Sequence, residues 1–456
     1  MPLNKIMFLL GPIIAISVYV LLLSAGFGNF AAIAGAVTTL CAIWWIFETI
    51  PIAATALIPI AVFPFTGVLS AGQVASAYGS PIVLLMLAGF MLSIAMEKSG
   101  THRRLALGML NATGTHHPWR LIFGFALVSA SLSMWISNTA TALMLLPIAL
   151  ATLESNHNKR LAIAVMLAIA YGASVGGLAT PIGTPTNLVF MQVYSQTTGA
   201  DISFTQWMSI ALPVTLLMLP IIVFILSRGL SKVGDLNLPD MGQWRTEEKR
   251  MLIVFACVAV AWITRSEPFD GWSAWFGLPA NDASVGLIGV LAMFLISDGK
   301  GGKLLDWENA ERIPWGILIL FGSGISIATA FTETGLSDAI GAQLAEAVNM
   351  PLIITIALIC LIVTFLTEVT SNTATAVLLM PILAATALAT SIDPALLMIP
   401  AVLSCSCAFM LPVATPPNAV AYSSRLFSIN QMARIGILLN LIGVVVITSV
   451  IFLRLG

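Results

Sequence analysis

Long apolar runs separated by short polar connections dominate the chain, in windows at 6–23, 31–46, 81–96, 210–226, 251–263, 285–296, 315–331 and 435–453. Stretches of roughly 18 to 20 apolar residues are what crossing a bilayer as a helix requires. Between them lie longer apolar regions broken by polar residues at mid-length. Residues 118–153 hold about two helices' worth of apolar sequence, interrupted at Ser133 to Thr139. Residues 351–390 repeat the design, with the break around Glu368 to Asn372. Each predicts a helical hairpin that enters the membrane and turns back, its tip buried in protein or facing a wet cavity, since lipid leaves exposed backbone unsatisfied.

The two interruptions carry the same pentapeptide, SNTAT, at 137–141 and 371–375. A second duplicated feature follows each hairpin: GGLATPIGTPTNLVF at 176–190 and CAFMLPVATPPNAVAY at 407–422. Proline inside an apolar helix removes a donor and clashes with the preceding turn, so Pro181, Pro185, Pro412, Pro416 and Pro417 predict spans broken into half-helices. Asn187 and Asn418 fall at or near the start of each second half. The interval from tip to asparagine is 50 residues in the first copy (187 − 137) and 47 in the second (418 − 371). A lone SNT is an ordinary helix cap and a lone proline an ordinary kink. Four matched interruptions in the same order instead predict an inverted repeat, the build of a secondary transporter with its site at mid-membrane.

Composition agrees: 59% of the 456 residues are hydrophobic and 9% charged, with a mean hydropathy of +1.00, where soluble proteins carry about 25% charge. The first apolar window, without a convincing cleavage site, reads as a retained helix. Alternating the spans from a cytoplasmic N-terminus puts all 19 Lys and Arg inside except Arg265 and Arg454, as the positive-inside rule favours. The count calls for about eleven complete crossings, with the first hairpin entering from inside and the second from outside. The five cysteines lie in apolar segments and read as small buried hydrophobes. The four histidines, His102, His116, His117 and His157, lie in polar connections with no zinc-ligand spacing. A net charge of −1 gives no sign of nucleic acid.

No Lys or Arg lies in either tip or broken loop. An anion there would be held by hydroxyls, amides, backbone N–H groups and the positive ends of half-helices. Carbonyls with Ser, Thr and Asn oxygens form a hard-oxygen cage suited to Na⁺, whose charge replaces the missing basic residue. Glu368 is the one acidic residue near either tip, whereas proton-coupled carriers use chains of intramembrane acids or histidines.

These paired SNT tips and TPxN loops resemble the divalent anion-sodium symporter family, which includes bacterial and animal sodium-dependent di- and tricarboxylate transporters. The likeness extends over nearly the whole chain, and CSCAFMLPVATPPNAV resembles the family's C-terminal signature, with Ser406, Phe409, Pro412, Asn418 and Val420 in place and Ala421 where valine is usual. The resemblance implies an all-α polytopic membrane protein of about eleven transmembrane helices, two re-entrant hairpins and two broken helices, working as a homodimer in the cell membrane by an elevator-like movement. It implies scaffold helices in 1–117, a first transport unit in 118–200, connecting and scaffold helices in 201–350, and a second transport unit with the last helix in 351–456. One sodium site would use Ser133, Ser137 and Asn138 with Gly183, and the other Thr367, Thr370 and Asn372 with Ala414. Substrate carboxylates would meet Asn138 and Thr139 on one side and Asn372 and Thr373 on the other, with Thr184, Thr415 and Pro416 closing the pocket. This chain has Thr186 where its second copy has Pro417. Sodium-coupled import of C4-dicarboxylates such as succinate, malate or fumarate is the leading expectation. Sodium-independent dicarboxylate exchange and sulfate or tricarboxylate symport share the fold. An anion channel would need polar positions along the whole pore instead of at one depth.

Overall fold

The computed structural model describes all residues except 1–2, 115–116, 155–157, 231–237, 267–269 and 348–349. His116, His157 and Lys232 therefore lie outside the described residues. The described chain is helical, and eight of its helices or helix runs are long and apolar enough to cross a membrane. In order, α1 (Leu3–Ser24), α2 (Asn29–Ile46), α3 (Ile52–Thr55), α4 (Leu57–Thr66), α5 (Ala71–Tyr78), α6 (Pro81–Ser99) and the amphipathic α7 (Thr101–Thr113) precede the first hairpin. The hairpin is α8 (Pro118–Ser133) and α9 (Asn138–Leu153), and the broken span is α10 (Lys159–Leu178) and α11 (Pro185–Thr198). Then come α12 (Phe204–Ser227), α13 (Thr246–Ile263), α14 (Gly271–Trp275), α15 (Asp282–Leu295), α16 (Trp307–Ala310), α17 (Trp315–Glu333) and α18 (Leu336–Ala347). The second hairpin is α19 (Leu352–Thr367) and α20 (Asn372–Ala389), the second broken span α21 (Pro394–Cys405) and α22 (Pro416–Ser423), and the last helix α23 (Ile429–Leu455).

The breaks fall where sequence chemistry puts them. Pro185 and Pro416 each take the first helical position, where a missing N–H costs nothing. At the centre lies α10, in which every residue from Leu161 to Leu178 is buried. It lies backbone to backbone on α8, because Gly172 and Gly176 face that helix: a Cβ on Gly176 would sit 2.2 Å from the Ala130 carbonyl oxygen. Small residues four apart are the usual means of such an approach in membrane helices.

The half-helices are exchanged between the two units. α11 packs on α20 and α21 of the second, and α22 packs on α9 and α10 of the first. A separate group forms from α2 with α17, α17 with α3 to α5, and α6 with α13 and α15. Three ionic contacts gather at one end of this group, Lys98 with Asp306 at 2.5 Å, Arg104 with Glu248 at 2.6 Å and Lys300 with Glu247 at 2.7 Å, and Arg265 pairs with Asp282 at the other end of α13 and α15. Arg104 also donates to the carbonyls of Met241, Gly242 and Gln243, so its buried charge is fully partnered.

Candidate functional site

Each hairpin turns over in a few residues, and the turn is tied by the same bond. Ser133 Oγ donates to Asn138 Oδ1 at 2.5 Å; Thr367 Oγ1 donates to Asn372 Oδ1 at 2.6 Å. In both cases the donor is the last residue of one arm and the amide the first of the next. Ser137 caps α9 by accepting from the Ala140 N–H at 3.2 Å, while Ser371 at the start of α20 makes no such bond. Thr139 and Thr373 occupy the second helical positions, half-exposed like the amides beside them.

The broken loops come to these tips. Thr180 donates to the Met134 carbonyl and accepts from the Gly183 N–H at 3.1 Å, which fastens the first loop under the first tip. A Cβ on Gly177 would lie 2.6 Å from Asn138 Oδ1, and one on Gly183 would lie 3.0 Å from the Ser133 carbonyl oxygen. The structure thus brings Ser133, Asn138 and Gly183 together, with Ser137 next to Asn138 in the chain. At the second tip, Thr367 also reaches the Cys405 carbonyl at 2.9 Å. The Thr370 hydroxyl is taken up by the Leu366 carbonyl at 2.8 Å and Thr375 at 2.7 Å, so its own carbonyl is the group it has to offer. Ala414, Thr184 and Thr415 are buried in the loops and Pro416 is exposed.

Asn187 and Asn418 do not cap the helices they begin. Thr184 and Thr415 take the cap positions, and each asparagine, one turn in, reaches back into the preceding break, Asn187 as far as the end of α10 and Asn418 to the loop after α21. Asn187 Nδ2 donates to the carbonyls of Gly177, Leu178 and Thr180; Asn418 Nδ2 donates to those of Ala408 and Leu411. The offsets of ten and seven residues recur in both loops (187 − 177 and 418 − 408; 187 − 180 and 418 − 411). In the first loop this satisfies two of the orphan carbonyls at the end of α10, and in both it satisfies carbonyls of the non-helical break.

Around the tips lie contacts that the sequence does not foretell. Glu368, in the sequence only an isolated acid, is 3% exposed and accepts from the N–H groups of Met410 and Leu411 at 2.9 and 3.0 Å and from Asn440 Nδ2 at 2.7 Å. Asn440 in turn accepts from the Phe409 N–H, whose carbonyl takes the Tyr171 hydroxyl at 2.9 Å. Ser406 meets Thr186 across the two loops at 3.2 Å. Asn440 carries a sequence signal of its own, an amide in the middle of an apolar helix. Among the described residues no Lys or Arg hydrogen-bonds to a residue of either tip, so helix ends, amides and hydroxyls make up their immediate surroundings.

A cavity of about 500 Å³ reaches the first tip at Ser137 and Ala140 from between α6 and the α16 region, with Glu97, Lys98 and Arg312 along its wall.

Comparison with solved structures gives the fold. The chain is similar to the Alcanivorax borkumensis YdaH transporter, with a TM-score of 0.62 at 16% identity over 91% of this chain and 98% of that one. It is similar to Neisseria gonorrhoeae MtrF, of a class of antimetabolite efflux pumps, with a TM-score of 0.55 at 13% identity over 86% and 84%. Among curated proteins, a Staphylococcus saprophyticus protein named sodium-dependent dicarboxylate transporter SdcS is 37% identical over 97% of this chain and 90% of its own length. A Staphylococcus aureus protein of the same name is 36% identical over 91% and 84%. The family model described as the sodium:sulfate symporter transmembrane region matches residues 4–454, and the chain belongs to that family of transporters.

Proposed function

We propose that this protein is a sodium-coupled symporter that imports C4-dicarboxylates, succinate, malate and fumarate among them, across the cell membrane. The observation that carries the reading is the pair of identically tied tips, Ser133 to Asn138 and Thr367 to Asn372, each beside a clamped loop and devoid of basic residues. Two such faces suit a substrate with a carboxylate at each end. The name shared by the staphylococcal relatives points the same way.

One Na⁺ is held by Ser133, Ser137, Asn138 and Gly183, and a second by Thr367, Thr370, Asn372 and Ala414, all through oxygen. Substrate lies between Asn138, Thr139 and Thr184 on one side and Asn372, Thr373, Thr415 and Pro416 on the other. A dianion buried without a counter-charge costs several kcal/mol even after relaxation, so Na⁺ binds first and creates the anion site. By linkage the substrate then tightens sodium binding by the same factor.

The two hairpins are re-entrant and the two units an inverted repeat in a chain of about eleven crossings, N-terminus inside. Arms of 16 residues in α8, α9 and α19 reach about 24 Å at 1.5 Å per residue, short of the roughly 30 Å hydrocarbon core. α20 is long enough for a span by itself, yet it pairs with α19 as α9 does with α8. The clustering of Lys98, Arg104, Arg245, Arg250, Lys300 and Lys303 at one end supports that end as cytoplasmic. The transport body is 118–200 and 351–456, with α12, which packs on α8, α10 and α23. It moves in an elevator-like manner against scaffold helices from 1–117 and the rest of 201–350, in a homodimer.

Purified protein in liposomes tests the proposal. Saturable succinate uptake that needs an inward sodium gradient is expected, with no binding in choline or K⁺. Sodium-independent succinate counterflow would replace symport by exchange, and single-channel currents would refute a carrier.

A further inference from the structure

We propose that Thr186 is a positioning residue for the substrate site, the middle member of a hydroxyl chain that runs from Ser406 in one broken loop to Thr184 in the other. The inference rests on the reading of Thr184 as a substrate contact.

The two loops end alike, Gly183-Thr184-Pro185-Thr186-Asn187 and Ala414-Thr415-Pro416-Pro417-Asn418, but their threonines are held differently. Thr415 Oγ1 accepts from the Asn418 N–H at 3.3 Å. In the first loop the Asn187 N–H goes to the Thr184 carbonyl at 3.2 Å, and the cap hydroxyl has no such bond. The donor to Thr184 Oγ1 is instead the Thr186 hydroxyl at 3.4 Å. A side chain in one loop thus takes the part that a backbone amide plays in the other. In both, the threonine oxygen has its acceptor role filled and its own proton left to point at an anion.

Thr186 is fully buried and Ser406 is 1% exposed. Their hydroxyls are 3.2 Å apart, with either able to donate by geometry alone. Because the one proton of Thr186 goes to Thr184, Ser406 must be the donor. The order is then Ser406 to Thr186 to Thr184 to a carboxylate oxygen, each bond polarising the next. Proline at this position, as in Pro417, has neither hydroxyl nor N–H and supports no such chain. The relay crosses between the two units because α11 is seated on α21, so anion affinity at the first loop depends on a serine in the second.

Initial rates of succinate uptake by the full-length protein in liposomes at saturating sodium test this. Thr186→Val, a near-isostere without the hydroxyl, should raise KM about two- to tenfold, the worth of one neutral hydrogen bond, with Vmax little changed. Thr186→Ser should restore the wild-type KM, and Ser406→Ala should raise it. The double variant should be no worse than Thr186→Val alone, and Thr186→Val should add nothing in a Thr184→Val background. Equal KM for Thr186→Val and wild type, independent multiplying effects, or Thr186→Ser behaving like Thr186→Val would each overturn the relay. So would a Thr184→Val variant with unchanged KM, which leaves sodium-dependent uptake and the symport reading standing; wild-type protein without such uptake overturns both. Melting in detergent identifies any variant that fails to fold, and Thr186→Ser with Ser406→Ala, the mildest changes, then decide.

Discussion

Replacing Asn187 by alanine removes the clamp between the halves of the first broken span, and the structure sets the cost. Its Nδ2 faces three carbonyl oxygens, Gly177 at 3.0 Å, Leu178 at 3.3 Å and Thr180 at 2.8 Å, but has two protons, so at most two good bonds exist at once. Oδ1 is buried without a partner, so the loss is on the donor side alone. Two acceptors left stranded at about 1–3 kcal/mol each put the loss at roughly 2–6 kcal/mol. Asn418→Ala should match it, since its amide serves two carbonyls at 2.9 and 3.0 Å. The melting temperature in detergent, followed by tryptophan fluorescence, should fall by about 2 °C or more for either. Asn430→Ala, at an exposed position on α23, should stay near wild type. Asn187→Asp keeps the shape but sets an acceptor against acceptors, so it should be at least as damaging as alanine. An Asn187→Ala or Asn187→Asp protein that melts with wild type would show that these bonds do not hold the break together.

Asn138→Ala and Asn372→Ala should each abolish succinate uptake in liposomes while melting near wild type; transport at the normal rate would remove that residue from the site. Glu368→Gln leaves an amide facing the Leu411 N–H, so it should lower the melting temperature as Asn418→Ala does, and an unshifted melt would exclude the brace. Single cysteines at Asp338 and Gln243, both exposed, should label from outside and inside respectively, and reversed labelling would overturn the hairpin assignment. The Lys98 ammonium, with the Asn309 amide, holds the Asp306 carboxyl down at about 2. Lowered in the fold, it contributes stability above the unfolded value of about 4 that is lost as pH falls toward 2. Asp306→Asn should therefore melt slightly lower than wild type at pH 7, the side chain being half-exposed, with the gap closing on acidification; a gap that widens would contradict the pairing.

The sequence shows the site's parts better than their wiring. The tips and breaks were legible because proline and polar residues inside apolar runs have few other uses, and helices duly end at Ser133, Leu178, Thr367 and Cys405. The asparagine of each TPxN loop was located, but not the carbonyls it serves. That depends on Pro185 and Pro416 fixing the first turn so that Thr184 and Thr415 become the caps and the asparagines face backward. The surroundings of Glu368 were hidden for a different reason. Its partners lie 42, 43 and 72 residues away, two of them backbone amides of apolar residues that leave no polar mark in the sequence. The exchange of α11 and α22 between units is likewise a matter of long-range packing.

That exchange bears on how two separated ion sites would act together. Each half-helix starts in one unit's loop and is seated on the other unit's hairpin. Tyr171 on α10 holds the Phe409 carbonyl of the opposite loop, and Thr186 meets Ser406. A shift of either tip must therefore carry both loops with it, and ordering one tip around a cation lowers the cost of ordering the other, which gives cooperativity without contact between ions. The seam toward the second helix group is mixed, with one firm bond from the Thr205 hydroxyl of α12 to the Ile263 carbonyl of α13 at 2.9 Å. Ile182 lies against Gly89 of α6, and Gln196 reaches Thr329 of α17 only at 3.5 Å. Apolar contact is not directional and survives sliding, whereas hydrogen bonds at fixed offsets do not. In the proposed elevator, the directional bonds between the loops bind the two half-sites into one body, which slides along the apolar part of the seam and has to exchange the Thr205 bond as it moves.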